Sequence, residues 1–145
     1  MIKAEDLRIG DLVRVNCNCA LTEGTIGTIV EISKETNSYN KKEFVRLNPI
    51  NSVSDYGWGV LSNNIEGIPL TPEILKKNGW KDIASKSILW VYYCKEKCSI
   101  NVGHYDKSEK PFRAILGRMV LKNIKYVHEL QHILWALGKD ANLKI

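Results

Sequence analysis

No stretch of this sequence stays apolar long enough to cross a bilayer. Runs such as Ile88-Leu89-Trp90-Val91 fall far short of the roughly 20 residues a spanning helix needs. A secretory core is missing too, because Met1-Ile2-Lys3-Ala4-Glu5-Asp6 turns acidic at once. The expectation is therefore a cytoplasmic protein without a membrane partner. In a reducing cytoplasm its 4 cysteines are expected as free thiols or metal ligands, not as bridges. There is no Gly-rich phosphate loop, no serine in a nucleophile-elbow pattern and no paired-carboxylate arrangement. These gaps count against the common hydrolases and nucleotide-cleaving enzymes.

What is present fits an ordinary globular chain of 145 residues, 44% hydrophobic and 26% charged. Its charge is unevenly placed. Residues 1–72 carry 7 Lys/Arg against 9 Asp/Glu, a net of −2, whereas residues 73–145 carry 14 against 7, a net of +7. Any attraction to phosphate belongs to the second half.

The first half reads as short strands with turn punctuation. Gly10-Asp11 leads into a strand ending at Val15, and Thr25 to Ile32 is a second, with either Ile29 or Val30 turned inward. Ser33 to Lys42 reads as a polar loop, Phe44 to Leu47 as a third strand and Trp58 to Leu61 as a fourth. So many short strands predict a small SH3-like β-barrel over residues 1–67. Within it, Gly24-Thr25-Ile26-Gly27-Thr28-Ile29-Val30-Glu31-Ile32 looks like the KOW element of RNA-contacting barrels, although this half is net acidic.

Residues 68–145 predict a short helix, an antiparallel sheet and a C-terminal amphipathic helix packed on it, an α+β arrangement. Thr71 suits an N-cap, Pro72 the first helical position, and Asn78-Gly79 a stop. Strands follow at Ile88 to Tyr93, Cys98 to Val102, Phe112 to Leu116 and Met119 to Leu121. The last helix, about Lys125 to Leu137, carries a stripe of Val127, Leu130, Leu134 and Leu137, with a further short strand expected at Leu143 to Ile145.

Three blocks in this order, Glu5-Asp6-Leu7-Arg8-Ile9-Gly10-Asp11-Leu12-Val13, Ile68-Pro69-Leu70-Thr71-Pro72-Glu73-Ile74-Leu75 and Ile124-Lys125-Tyr126-Val127-His128-Glu129-Leu130-Gln131, resemble a family of uncharacterised small proteins. That family is common in Bacteroides-type gut bacteria, their phages and prophages. The resemblance implies a phage-related, intracellular setting and supplies no catalytic residues.

His128-Glu129-Leu130-Gln131-His132 matches the H-E-x-x-H zinc peptidase pattern, in which histidines four apart chelate the ion and the Glu activates its water. A third ligand is hard to find. Asp140 is the one acidic residue after His132, Trp135 and Gly138 stand where the extended motif needs Gly and His, and His104 is the remaining histidine. The helical wheel turns both His128 and His132 away from the apolar stripe, as solvated side chains. Cys17, Cys19, Cys94 and Cys98 are spaced C-x-C and C-x3-C, not as zinc knuckles, and Cys94 and Cys98 are expected to face each other across a turn.

The aromatic residues remain. Tyr56-Gly57-Trp58-Gly59 places two rings in a glycine-rich loop, and Trp90, Tyr92 and Tyr93 share a strand with Tyr93 on the opposite face. Tyr56, Trp58, Trp90 and Tyr92 are the expected ligand-binding residues, with no catalytic residue, metal or cofactor expected. The sequence predicts a non-enzymatic binding module for a host protein or small ligand. A nucleic-acid binder and a zinc peptidase are the alternatives.

Overall fold

The computed structural model describes residues 2, 4–17, 21–37, 40–52, 57–83, 90–105 and 111–145. The chain divides into two units, Met1–Ile68 and Pro69–Ile145, each built on a five-stranded antiparallel sheet.

In the first unit, a tight turn launches the sheet. Gly10 adopts φ 94°, and the buried Asp11 carboxylate accepts the Arg8 backbone N–H at 2.8 Å. A residue with a β carbon is strained at that φ, which is why glycine stands there. The strands are β1 (Leu12–Val15), β2 (Ile26–Asn37), β3 (Asn40–Pro49), β4 (Trp58–Leu61) and β5 (Ile65–Gly67), with a 3₁₀ turn at Ser62–Asn64 before β5. Their order across the sheet is β4-β3-β2-β1-β5. Alternate positions turn inward, so Val13, Val15, Ile29, Val45, Leu47, Val60 and Ile65 form one core. Each such side chain contributes roughly 1.5–3 kcal/mol of burial.

A bulge between Ile29 and Glu31 settles which neighbour points inward: Ile29 is fully buried and Val30 is 40% exposed. The expected polar loop over residues 33–42 is corrected. β2 and β3 continue as a ladder out to Asn37↔Asn40. Ladder hydrogen bonds join backbone groups, so a two-stranded ribbon needs no apolar alternation to form. A sequence reading based on that alternation misses it.

In the second unit, helix α1 (Pro72–Lys77) starts where Thr71 Oγ1 accepts the Ile74 N–H at 3.4 Å and ends at Gly79, φ 81°. Leu75 is buried from it, and Trp80, just past its end, is buried as well. Strands β6 (Lys81–Ile83), β7 (Trp90–Cys94), β8 (Ile100–Tyr105), β9 (Phe112–Leu116) and β10 (Met119–Ile124) pair in reverse order along the sheet. The sequence gives no sign of β6, whose three residues are all exposed and which is held through its ladder to β7. Ile88 and Leu89 lie outside the described residues.

Helix α2 (Val127–Ala136) buries Val127, Leu130 and Leu134, while the sheet buries Tyr93, Ile100, Val102, Phe112, Ala114 and Ile124 on one face. Lys122 of β10 bonds Glu129 near the helix start, and Leu134 near its end lines a cavity with the β7–β8 turn. The helix therefore crosses that face from one edge strand towards the β7–β8 turn. The expected strand at Leu143–Ile145 is corrected as well. Asn78 supplies a side-chain substitute, accepting the Lys144 N–H at 2.7 Å and donating to the Lys144 carbonyl at 2.7 Å. No helix among the described residues is long and apolar enough to cross a membrane.

Candidate functional site

The pattern His128-Glu129-x-x-His132 lies on α2, where Glu129 is at the third helical position. Its Oε2 accepts the Lys125 N–H at 2.7 Å and the Tyr126 N–H at 3.0 Å, and its Oε1 meets Lys122 Nζ at 3.0 Å. Burial alone pushes this carboxyl's pKa upward. The Lys125 backbone hydrogen bond, the Lys122 hydrogen bond and charge, and the Tyr126 backbone bond outweigh it, leaving the pKa below 4.5. The carboxylate that a peptidase would aim at a metal-bound water is held as the helix's N-terminal cap.

The histidines differ from each other. His132 is half-buried, but His128, expected to be solvated, is only 3% exposed. The buried arc of α2 is wider than its apolar stripe: Gln131 is also buried and donates to the Ala141 carbonyl at 3.2 Å. Ala141, beyond the helix, thus meets Gln131 on a flank outside the apolar stripe. Tyr126 stacks on His128 at 5.6 Å and Trp135 on His132 at 6.0 Å. His104, on β8, packs against Phe112 at 4.8 Å and Tyr93 at 6.0 Å. Among the described residues no group of three or more His, Cys, Asp or Glu side chains is arranged to hold a metal ion.

Cys94 and Cys98 do not pair across the turn as expected. Cys94 on β7 stands opposite Asn101, while Cys98 falls in the connecting turn, where its N–H donates to the Lys95 carbonyl at 3.0 Å. Lys97, at φ 58°, takes up the tight bend and moves Cys98 out of the ladder. Cys17 packs half-buried against the core of the first unit, and Cys19 lies outside the described residues.

Of the expected ligand-binding residues, Tyr56 lies outside the described residues, and Trp58 is 47% exposed on edge strand β4 of the first unit. Gly57 beside it is close-packed, since a β carbon there would sit 2.5 Å from Arg46 Cγ. Trp90 and Tyr92, both on β7, are brought together. Their rings stack at 5.8 Å with 17° between planes. They occupy the face of the second sheet opposite its buried core, while Tyr93 turns inward at 3% exposure.

Two residues the sequence reading missed complete this group. The Arg113 guanidinium carbon lies over the Trp90 ring, 5.0 Å from its centroid. Register aligns Tyr92, Gly103 and Arg113 across β7, β8 and β9. Gly103 leaves room for the Tyr92 ring, because a β carbon there would meet Tyr92 Cδ1 at 3.0 Å and Cε1 at 3.2 Å. The expected strand stops at Val102, whereas β8 runs on through Gly103 to Tyr105, and only there does the glycine mark a close approach. Arg113's place beside Trp90 follows only from strand pairing.

No family model matches this chain, and no curated protein or solved structure does either.

Proposed function

We propose that this chain is a cytoplasmic, non-enzymatic binding module that takes its ligand on the outer face of the second sheet. The observation that carries this reading is the Trp90–Tyr92 stack with Arg113 over it, on the side opposite the buried core. Two aligned rings beside a guanidinium offer a stacking and cationic surface to a planar, anionic molecule. The phage or prophage setting, in which such a module would block host machinery or sequester a signalling ligand, rests on the three sequence blocks.

The first unit is read further as an SH3-like barrel. Strands β4 and β5 lie at opposite edges of the sheet yet are joined by the three residues Ser62–Asn64. A flat five-strand sheet would separate those edges by about 19 Å. The connection spans at most about 14 Å, which supports a sheet curled back on itself. RNA binding through the KOW-like stretch has less support, because residues 1–72 carry a net −2. The peptidase reading is weakened by the capping role of Glu129.

Titration with a panel of mononucleotides and cyclic nucleotides, followed by tryptophan fluorescence, tests the principal reading. Quenching that saturates and is lost in Trp90→Leu/Tyr92→Leu supports it. A panel without effect counts against it. Less than about 0.1 zinc per chain by elemental analysis would end the peptidase alternative.

A further inference from the structure

Register assigns each strand residue of the second sheet to a face, and the two faces differ sharply in chemistry. The positions sharing a face with Trp90 and Tyr92 include Lys81 and Ile83 on β6, Asn101 and Gly103 on β8, and Arg113 and Ile115 on β9. On β10, Val120 and Asn123 stand opposite Ile115 and Arg113. Among these described positions there are two cations, two amides and no carboxylate. Asp82, the acidic residue of β6, is paired with Tyr93 and belongs to the other face. Lys81, Ile83, Val120 and Asn123 are exposed, so the face is accessible at both edges, and Asn101 and Arg113 are half-buried between them.

Building on the reading of this face as a ligand surface, we infer that it is a platform for single-stranded nucleic acid laid across the strands. Three observations converge on that ligand. Stacked rings suit bases, which all present a π-face whatever the sequence. Cations at Lys81 and Arg113 lie on either side of the ring pair, at β6 and β9, where a backbone crossing the sheet would bring its phosphates. Asn101 and Asn123 add donors and acceptors for base edges or sugar hydroxyls without introducing negative charge. An open sheet about 19 Å across has room for two or three nucleotides, the number a sheet of this size stacks elsewhere. The excess of positive charge in residues 73–145, a net +7, supplies the long-range attraction. A duplex is disfavoured because its bases are already stacked on one another.

Fluorescence anisotropy with 5′-labelled dT10 and rU10, and with a duplex of equal length, tests the inference on the full chain. Saturable binding of at least one single strand in 50 mM salt, weaker for the duplex, is expected. Removing either ring should weaken it about fivefold or more. Arg113→Gln and Lys81→Gln, which leave the core intact, should each weaken binding and flatten the slope of log affinity against log salt by about 0.7. Lys97→Gln, in the β7–β8 turn, should change neither by as much.

Preference between dT10 and rU10 reports whether the sugar hydroxyl is read. The inference is overturned if neither strand saturates, or if Lys97→Gln costs as much as Arg113→Gln. Mononucleotide quenching that persists while dT10 and rU10 bind no more tightly than a mononucleotide sinks the strand and leaves the aromatic-face reading standing. Absence of both removes the two together.

Discussion

Glu129 closes the open N–H groups before α2 with two backbone hydrogen bonds and neutralises Lys122. Replacing it with Ala should cost about 1 kcal/mol, as losing a helix cap does, read from urea denaturation at pH 7. Because its folded pKa lies below the ordinary 4.5, the ionised form is the one that stabilises the fold. That contribution is complete above the unfolded value and disappears as pH falls through the folded one. Stability measured between pH 7 and pH 3 should therefore fall less steeply in Glu129→Gln than in the parent chain. Gly103 is the second residue where one atom matters. Gly103→Val forces the Tyr92 ring off its site, and the expected outcome is an altered near-UV circular dichroism signal with the far-UV spectrum retained.

At the scale of elements, α2 draws its stability from one buried stripe. Leu130 is fully buried, and Leu130→Ala should cost about 2–5 kcal/mol through lost burial and the cavity left behind, measured by chemical denaturation. Elements whose residues carry their own local instructions were legible. Thr71, Pro72 and Gly79 bracket α1, and β4 and β9 occupy the spans their apolar residues indicate. Elements defined by a partner were not. β6 is three exposed residues that become a strand because β7 offers its edge, and the ends of β2 and β3 are a ribbon because each completes the other's ladder. At Leu143–Ile145 the apolar signal is real, with Leu143 buried, but the Asn78 amide makes the bonds that a neighbouring strand would have made.

For the whole molecule, the division into Met1–Ile68 and Pro69–Ile145 leaves each unit with its own buried residues and its own sheet. Residues 69–145 expressed alone should unfold cooperatively in urea, and a broad, non-cooperative transition would show that this core is incomplete. The same fragment should carry the affinity for heparin, since the positive charge lies in it, with retention falling steeply as salt rises. Arg118→Gln is the cleanest charge removal for that assay, because Lys122 is tied to Glu129 and Lys125 lies over the Tyr126 ring.

By itself the sequence determined what depends on neighbours along the chain. That includes the turn at Gly10-Asp11, the capped helix α1, the alternation that splits Tyr93 from Trp90 and Tyr92, and the charge imbalance between halves. Tertiary structure decided what depends on neighbours across it. It buried His128 beside the Tyr126 ring, turned Glu129 from a motif's base into a cap, and set Arg113 over Trp90 from two strands away. The physical reason is register. A one-residue slip would exchange the faces of β9 and carry Arg113 to the other side of the sheet, and backbone pairing between distant segments, not composition, fixes that choice.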